Sequence, residues 1–260
     1  MSTEPSLDHA ALLDVVRTAF GLDVTTLTFL PDGTAPAFRA DGPFVRVFVK
    51  VMPPTTYGDQ VTERALFELP LVRALRSSGT LPRVPEPLIT LGGEPLAVLD
   101  GHRVFAYRWI DAVNTGKDWN AAAPERAVLL RRLHAGTAAI MSSTSALPMP
   151  PEDFALPFEP QLTESLHTLS CVPPDARPGL HALHELLLPH VDAILALLTR
   201  AQAYAARTRP RPRSFVVCHT DAHGGNVMRD AAGHLWIIDW ETARLAPPEH
   251  DLWILHARLP

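Results

Sequence analysis

The chain has 260 residues, of which 47% are hydrophobic and 20% charged, enough for a large core in one domain or two lobes. The net charge of −5 argues against a nucleic-acid-binding surface and mildly favours a cationic or neutral small substrate. Two cysteines, Cys171 and Cys218, make neither a disulfide framework nor a metal-ligand spacing. No basic region followed by an apolar run opens the chain, and no stretch reads as long and apolar enough to span a membrane. The expectation is a cytoplasmic enzyme with no nucleic-acid or membrane partner.

Leu7 to Phe20 carries helical periodicity, with Leu12, Leu13, Val16 and Phe20 on one face, Asp8 as N-cap and Gly21 as stop. Val24 to Leu30 reads as a strand, Pro31-Asp32-Gly33 as a turn, and Ala35 to Ala40 as its hairpin partner. Phe44 to Val51 alternates strongly and is a strand, with Lys50 near its end. A helix opens at Glu68, with Pro70 in its first turn, and runs to Gly79. Leu96 to Leu99 and Val104 to Ile110 read as an antiparallel pair around Asp100-Gly101. Pro124 to Ile140 is an amphipathic helix, and Ser142 to Pro178 is irregular except for a short helix near Leu162 to Leu169. Leu180 to Thr208 is helical, broken or kinked at Pro189.

Chemistry concentrates between Phe215 and Trp240, FVVCHTDAHGGNVMRDAAGHLWIIDW. The apolar run Phe215 to Cys218 stops abruptly at His219, Asp221, His223 and Asn226, with Gly224-Gly225 permitting a bend. Leu235 to Ile238 is a second apolar strand that stops at Asp239. Both strands are expected in one small sheet that delivers two carboxylates and an amide to one end. Phosphoryl transfer needs a group to orient the attacking hydroxyl and oxygen ligands for magnesium. Asp221 can accept the hydroxyl proton, Asn226 offers a neutral oxygen to a metal, and Asp239 a charged one.

His219-x-Asp221-x-x-x-x-Asn226 followed by Ile238-Asp239-Trp240 resembles the catalytic and metal-binding segments of the aminoglycoside phosphotransferase family, a small-molecule branch of the protein-kinase-like fold. The stretches Thr242-Ala243, Ala246-Pro247-Pro248-Glu249 and Asp251-Leu252-Trp253, with Gly21 to Pro31, are similar to its spectinomycin phosphotransferase branch. The resemblance implies an α+β, two-lobed fold. Residues 1–106 would form a small antiparallel-sheet lobe, and residues 107–260 a mainly helical catalytic and substrate lobe.

It further implies that Lys50 contacts the nucleotide phosphates. A helix carboxylate would brace that lysine. Glu68 is favoured over Glu63, because family members often place such a Glu about eleven residues before a Gly, here Gly79. The first hairpin, with Gly33 at its turn, would lie over the phosphates. Tyr107, Trp109 and Ile110 would form the hinge along the adenine edge. Asp221 and His219 make up the catalytic pair, with His219 expected to support the loop. Asn226 and Asp239 would hold Mg2+. His134 and Asp251 are expected to be structural.

The implied reaction moves the γ-phosphate of ATP (or GTP) to a hydroxyl of a small molecule, first an aminocyclitol or aminoglycoside antibiotic such as spectinomycin. Alternatives are another small alcohol or natural product, or a truncated nucleotide-binding pseudokinase serving as an interaction module. The sequence ends at Pro260, where family members usually continue with several helices. The expectation is therefore that Trp253-Ile254-Leu255 is covered by a neighbouring chain or a further segment, giving a homo-oligomer through the C-terminal end.

Overall fold

The computed structural model describes residues 4–31, 35–115, 122–143, 149–156, 158–169, 171–209 and 214–253. The chain divides into two compact units, Met1–Pro150 with Val216–Pro260, and Pro151–Phe215. The residue 106/107 lobe boundary falls inside the first unit.

In the first unit, helix α1 (His9–Phe20) starts where the Asp8 carboxylate accepts the Ala10 N–H at 2.8 Å and ends at left-handed Gly21. It lies on an antiparallel sheet of order β1-β2-β3-β5-β4, formed by Thr26–Leu30, Ala37–Asp41, Arg46–Met52, His102–Arg108 (β5) and Ala97–Leu99 (β4). The alternation of β3 decides what each face does. Val47, Val49 and Val51 bury against α1 with Leu12, Val16 and Phe20. Phe48, Lys50 and Met52 therefore point the other way, towards Phe105 and Tyr107 and the helix that follows.

That helix, α2, runs from Thr56 to Ser77 without interruption, so Glu68 and Pro70 lie in its interior and not at its start. The Thr55 hydroxyl caps it by accepting the Gly58 N–H at 3.1 Å. An interior proline forfeits one helix hydrogen bond. Here the carbonyl that loses its donor belongs to exposed Leu66, and flanking Leu69 and Leu71 are buried. Packing thus outweighs the local break. Val61, Ala65 and Leu69 pack on the sheet, whereas Leu71, Val72 and Leu75 join a second cluster with Leu130, Leu133, Ile237 and Trp240.

The helix expected over Pro124 to Ile140 is two, α3 (Ala123–Ala135) and α4 (Thr137–Ser143). The chain turns at Gly136, where a Cβ would stand 2.3 Å from Thr80 Cγ2. The Thr137 hydroxyl donates to the His134 carbonyl at 2.8 Å and accepts the Val217 N–H at 2.9 Å.

The two apolar strands expected in one sheet lie in different sheets. Strand β7 (Val216–Cys218) pairs with β10 (Arg244–Ala246). Strands β8 (Val227–Asp230) and β9 (Leu235–Ile237) form a three-stranded sheet with β6 (Ala112–Asn114). The reason is the polar loop between β7 and β8. Thr220 turns left-handed (φ 71°) and Gly224–Asn226 forms a 3₁₀ turn, so the chain cannot fold back on β7. Strands β6 and β10, three residues each, carry too short an alternation to be read from sequence.

The second unit is helical: α5 (Glu159–Leu169), α6 (Pro178–Leu187) and α7 (Val191–Thr208), with the kink at Pro189 as expected. The His184 ring meets the Leu169 carbonyl, and Gln202 donates to Glu159 at 2.7 Å. One sequence expectation needs correction here. Pro178–Thr208 forms a helical run of 31 residues that is, by length and composition, long and apolar enough to cross a membrane. Leu186, Leu188, Leu197 and Tyr204 on it are exposed.

Candidate active site

The loop that leaves β7 is held by buried groups on every side. Asp251 is 1% exposed, and its carboxylate accepts the backbone N–H of Thr220 at 2.6 Å and of His219 at 3.2 Å. His134 meets the same carboxylate at 2.8 Å. Burial alone would raise the Asp251 pKa, but the His134 and Thr220 hydrogen bonds hold it below the usual carboxylate value. Asp251 lies in a 3₁₀ turn, Pro248–Asp251, and acts as the clamp of the loop. Cys218 beside it is buried, burial pushes its thiol up, and its sulfur lies 3.9 Å from His134 Nε2, so His134, Cys218 and Asp251 form one buried polar cluster under the loop.

His219 is fully buried, edge-on to Trp240 with ring centroids 4.5 Å apart. Its Nε2 lies 3.0 Å from the Ile238 carbonyl and its Nδ1 3.2 Å from the Asp221 N–H. A carbonyl only accepts and an N–H only donates, so the ring is neutral with its proton on Nε2. Burial lowers its pKa in the same sense. Both ring nitrogens of His219 are thus engaged within the loop itself. Arg126 of α3, wholly buried, donates to the Ala222 carbonyl. Asn114 and Thr115, at the end of β6, donate to the carbonyls of Gly225 and Gly224 at 2.6 and 2.7 Å.

What this frame presents is Asp221, with 40% of its side chain exposed. The Asn226 amide nitrogen donates to the Asp221 carbonyl at 2.9 Å and to its Oδ2 at 3.1 Å. Asn226 Oδ1 is the atom left for a ligand. Asp239 follows β9 in the left-handed region (φ 69°), a conformation that turns its side chain out of the strand. Asn226, Asp239, Lys50 and Glu68 line one cavity of about 430 Å³. One neutral and one anionic oxygen, both from short side chains, fit a hard cation such as magnesium.

Lys50 faces three carboxylates. Burial disfavours its charge, yet Glu68, Asp239 and Glu241 together hold its pKa above that of a free lysine. The ion pair it makes among the described residues is with Glu241 Oε2, at 3.5 Å, and not with Glu68. Glu63 is exposed. Glu68 is 4% exposed, and burial pushes its carboxyl up to about 7 against the pull of Lys50. Burial is the largest cause, and the neighbouring Asp239 and Glu241 carboxylates act in the same direction.

Of the residues expected to form a hinge, Tyr107 is buried, and Trp109 and Ile110 line the cavity with Leu30, Phe48 and Met228. The Arg108 N–H is spent on the Glu86 carbonyl at 2.9 Å and the Trp109 N–H on the Arg46 carbonyl at 3.1 Å. Gly33 lies outside the described residues. Sequence reasoning missed Glu241, Arg126, Asn114 and Thr115. Glu241 carried a faint signal, two positions after Asp239. The others carried none, since their partners are backbone carbonyls far away in the chain.

A family model described as the phosphotransferase enzyme family, APH, matches residues 26–260. No curated protein matches in sequence. Among solved structures, spectinomycin phosphotransferase APH(9)-Ia, in complex with ADP and spectinomycin, superposes with a TM-score of 0.68 at 22% identity, over 95% of this chain and 73% of that one. An aminoglycoside phosphotransferase from Alicyclobacillus acidocaldarius gives 0.62 at 16% identity over 96% and 70%. Macrolide 2'-phosphotransferase MphH from Brachybacterium faecium gives 0.55 at 19% over 93% and 75%. These likenesses show the fold, which is α+β and protein-kinase-like as the resemblance implied. The family match covers the sheet that carries Lys50 and the loops that carry Asp221 and Asp239, and the chain belongs to the phosphotransferase enzyme family.

Proposed function

We propose that the protein is a small-molecule kinase that moves the γ-phosphate of ATP (or GTP) to a hydroxyl group. The observation that carries this reading is Asp221, half-exposed and hydrogen-bonded to Asn226, which lines one cavity with Asp239 and Lys50. The acceptor hydroxyl gives its proton to Asp221 as its oxygen bonds to the γ-phosphorus. The bond from that phosphorus to the β,γ-bridging oxygen breaks, and the nucleoside diphosphate leaves. Lys50 binds the phosphates, and the hinge from Tyr107 to Ile110 holds the base. Asn226 and Asp239 would hold Mg2+, which neutralises developing charge on the phosphates when bound.

An aminocyclitol or aminoglycoside antibiotic is the first acceptor class, which would make the protein a cytoplasmic resistance enzyme. Its support is the likeness to a spectinomycin enzyme together with the acidic balance of the chain. The likeness to a macrolide enzyme keeps other hydroxylated natural products as the second class. Partners under this reading are the small hydroxyl substrate and a second copy of the chain, with no nucleic acid and no membrane.

The test is nucleotide consumption by purified protein against a panel of hydroxylated antibiotics and metabolites, with Asp221→Ala alongside. Loss of the proton acceptor should lower kcat by about 10²–10⁴-fold and leave nucleotide affinity nearly unchanged. Near-wild-type turnover in Asp221→Ala would remove Asp221 from the chemistry. Nucleotide binding without consumption of any acceptor would favour the pseudokinase reading.

A further inference from the structure

We infer that Glu241 is a positioning residue of this site, bracing the Lys50 ammonium from outside the nucleotide cavity and tying it to the segment that carries Asp239. The inference rests on the kinase reading of the cavity.

Lys50, Glu68 and Asp239 line the cavity, and Glu241 does not. Glu241 Oε2 lies 3.5 Å from Lys50 Nζ, and Oε1 lies 3.4 Å from Arg64 Nη1 of α2. One carboxylate thus joins the strand that carries the lysine, the helix that carries Glu68, and the loop that carries Asp239. The backbone between Asp239 and Glu241 is clamped. Trp240 is fully buried, and its indole N–H donates to the Ile237 carbonyl at 3.0 Å.

The charges favour Glu241 over Glu68 as the working partner. Glu68 is buried, and its ionisation is opposed by burial and by both neighbouring carboxylates. Its compensation comes from Lys50 and the Trp240 backbone N–H. Glu241 has two cations against it, on separate oxygens, and only 16% of its side chain is exposed. An ion pair at that depth is screened less than a surface pair. It does not line the cavity, whereas Lys50 does.

The experiment is titration of the full chain with magnesium-ADP, for wild type, Glu241→Gln, Lys50→Met and the double variant, with melting temperatures beside each. No acceptor is needed. Loss of a charge-assisted contact predicts about tenfold weaker binding for Glu241→Gln, with melting within a few degrees of wild type. In the Lys50→Met background the same substitution should cost almost nothing, because its effect passes through the lysine. Arg64→Met should weaken binding in the same direction and less. Wild-type affinity in Glu241→Gln, or an equal loss with and without Lys50, overturns the inference while leaving the kinase reading in place. Failure of the wild-type protein to bind the nucleotide overturns both.

Discussion

Asp239 and Thr220 both hold positive φ, at 69° and 71°, and they flank the chemistry. Such a backbone costs on the order of 1–3 kcal/mol, less for Asp than for a β-branched residue. Thr220 is pinned by Asp251 at its N–H and by Thr242 at its hydroxyl, 3.0 Å away. Asparagine tolerates the left-handed region as well as aspartate does, so Asp239→Asn should fold normally. It should weaken nucleotide binding by at least about tenfold with magnesium and far less without it. Equal losses under both conditions would take Asp239 out of the metal site. Glu68 makes a second prediction, through pH. Its ordinary value is 4.5, and burial raises it to about 7 in the folded chain. A raised folded pKa means the group favours folding below the unfolded value and loses that contribution as pH climbs through the folded value. Glu68→Gln cannot ionise, so its stability relative to wild type should grow between pH 4.5 and 7 and then level off. Melting curves across that window test this, and a constant difference would show Glu68 is not held protonated.

Helix α2 is the element that joins the sheet cluster to the cluster beneath the catalytic loop. Its first turn contains Gly58, a residue that costs an interior helix position about 1 kcal/mol relative to alanine. Propensity alone would make Gly58→Ala stabilising. A Cβ there, however, would stand 1.9 Å from the Pro53 carbonyl oxygen, a backbone atom that cannot swing away. Steric exclusion exceeds the propensity gain, so Gly58→Ala should lower the melting temperature by several degrees and loosen the Lys50 end of the sheet. A rise in melting temperature would show that the 53–58 turn relaxes freely. The α3–α4 junction obeys the same logic, because Gly136 lies against Thr80 and brings Thr137 to the Val217 N–H.

At the scale of the molecule, the first unit contains every described residue assigned to the reaction, and the second is a helical unit with an exposed apolar face. Leu186 is 65% exposed and Leu197 56%, and Trp253 in the first unit is 53% exposed. Apolar surface of this kind favours association. Sedimentation of the 260-residue chain at rising concentration should show self-association. Leu186→Lys with Leu197→Lys should reduce it. A monomer at every concentration would remove the oligomer expectation.

Local sequence was enough for the elements whose signal is short-range. The Asp8 cap, the Gly21 stop and the alternation of Phe44 to Val51 depend on neighbours within a few residues. The His-x-Asp-x-x-x-x-Asn spacing was legible because catalytic geometry needs those residue types in one loop. Tertiary structure decided the rest. Whether α2 survives Pro70, whether Lys50 pairs with Glu68 or Glu241, and which sheet receives β7 all depend on groups distant in sequence. Burial sets those outcomes. It raises the Glu68 pKa beside the lysine, and it repays a broken helix bond with apolar contacts. No local pattern carries that information, since it arises only when Arg64, Lys50 and Glu241 meet.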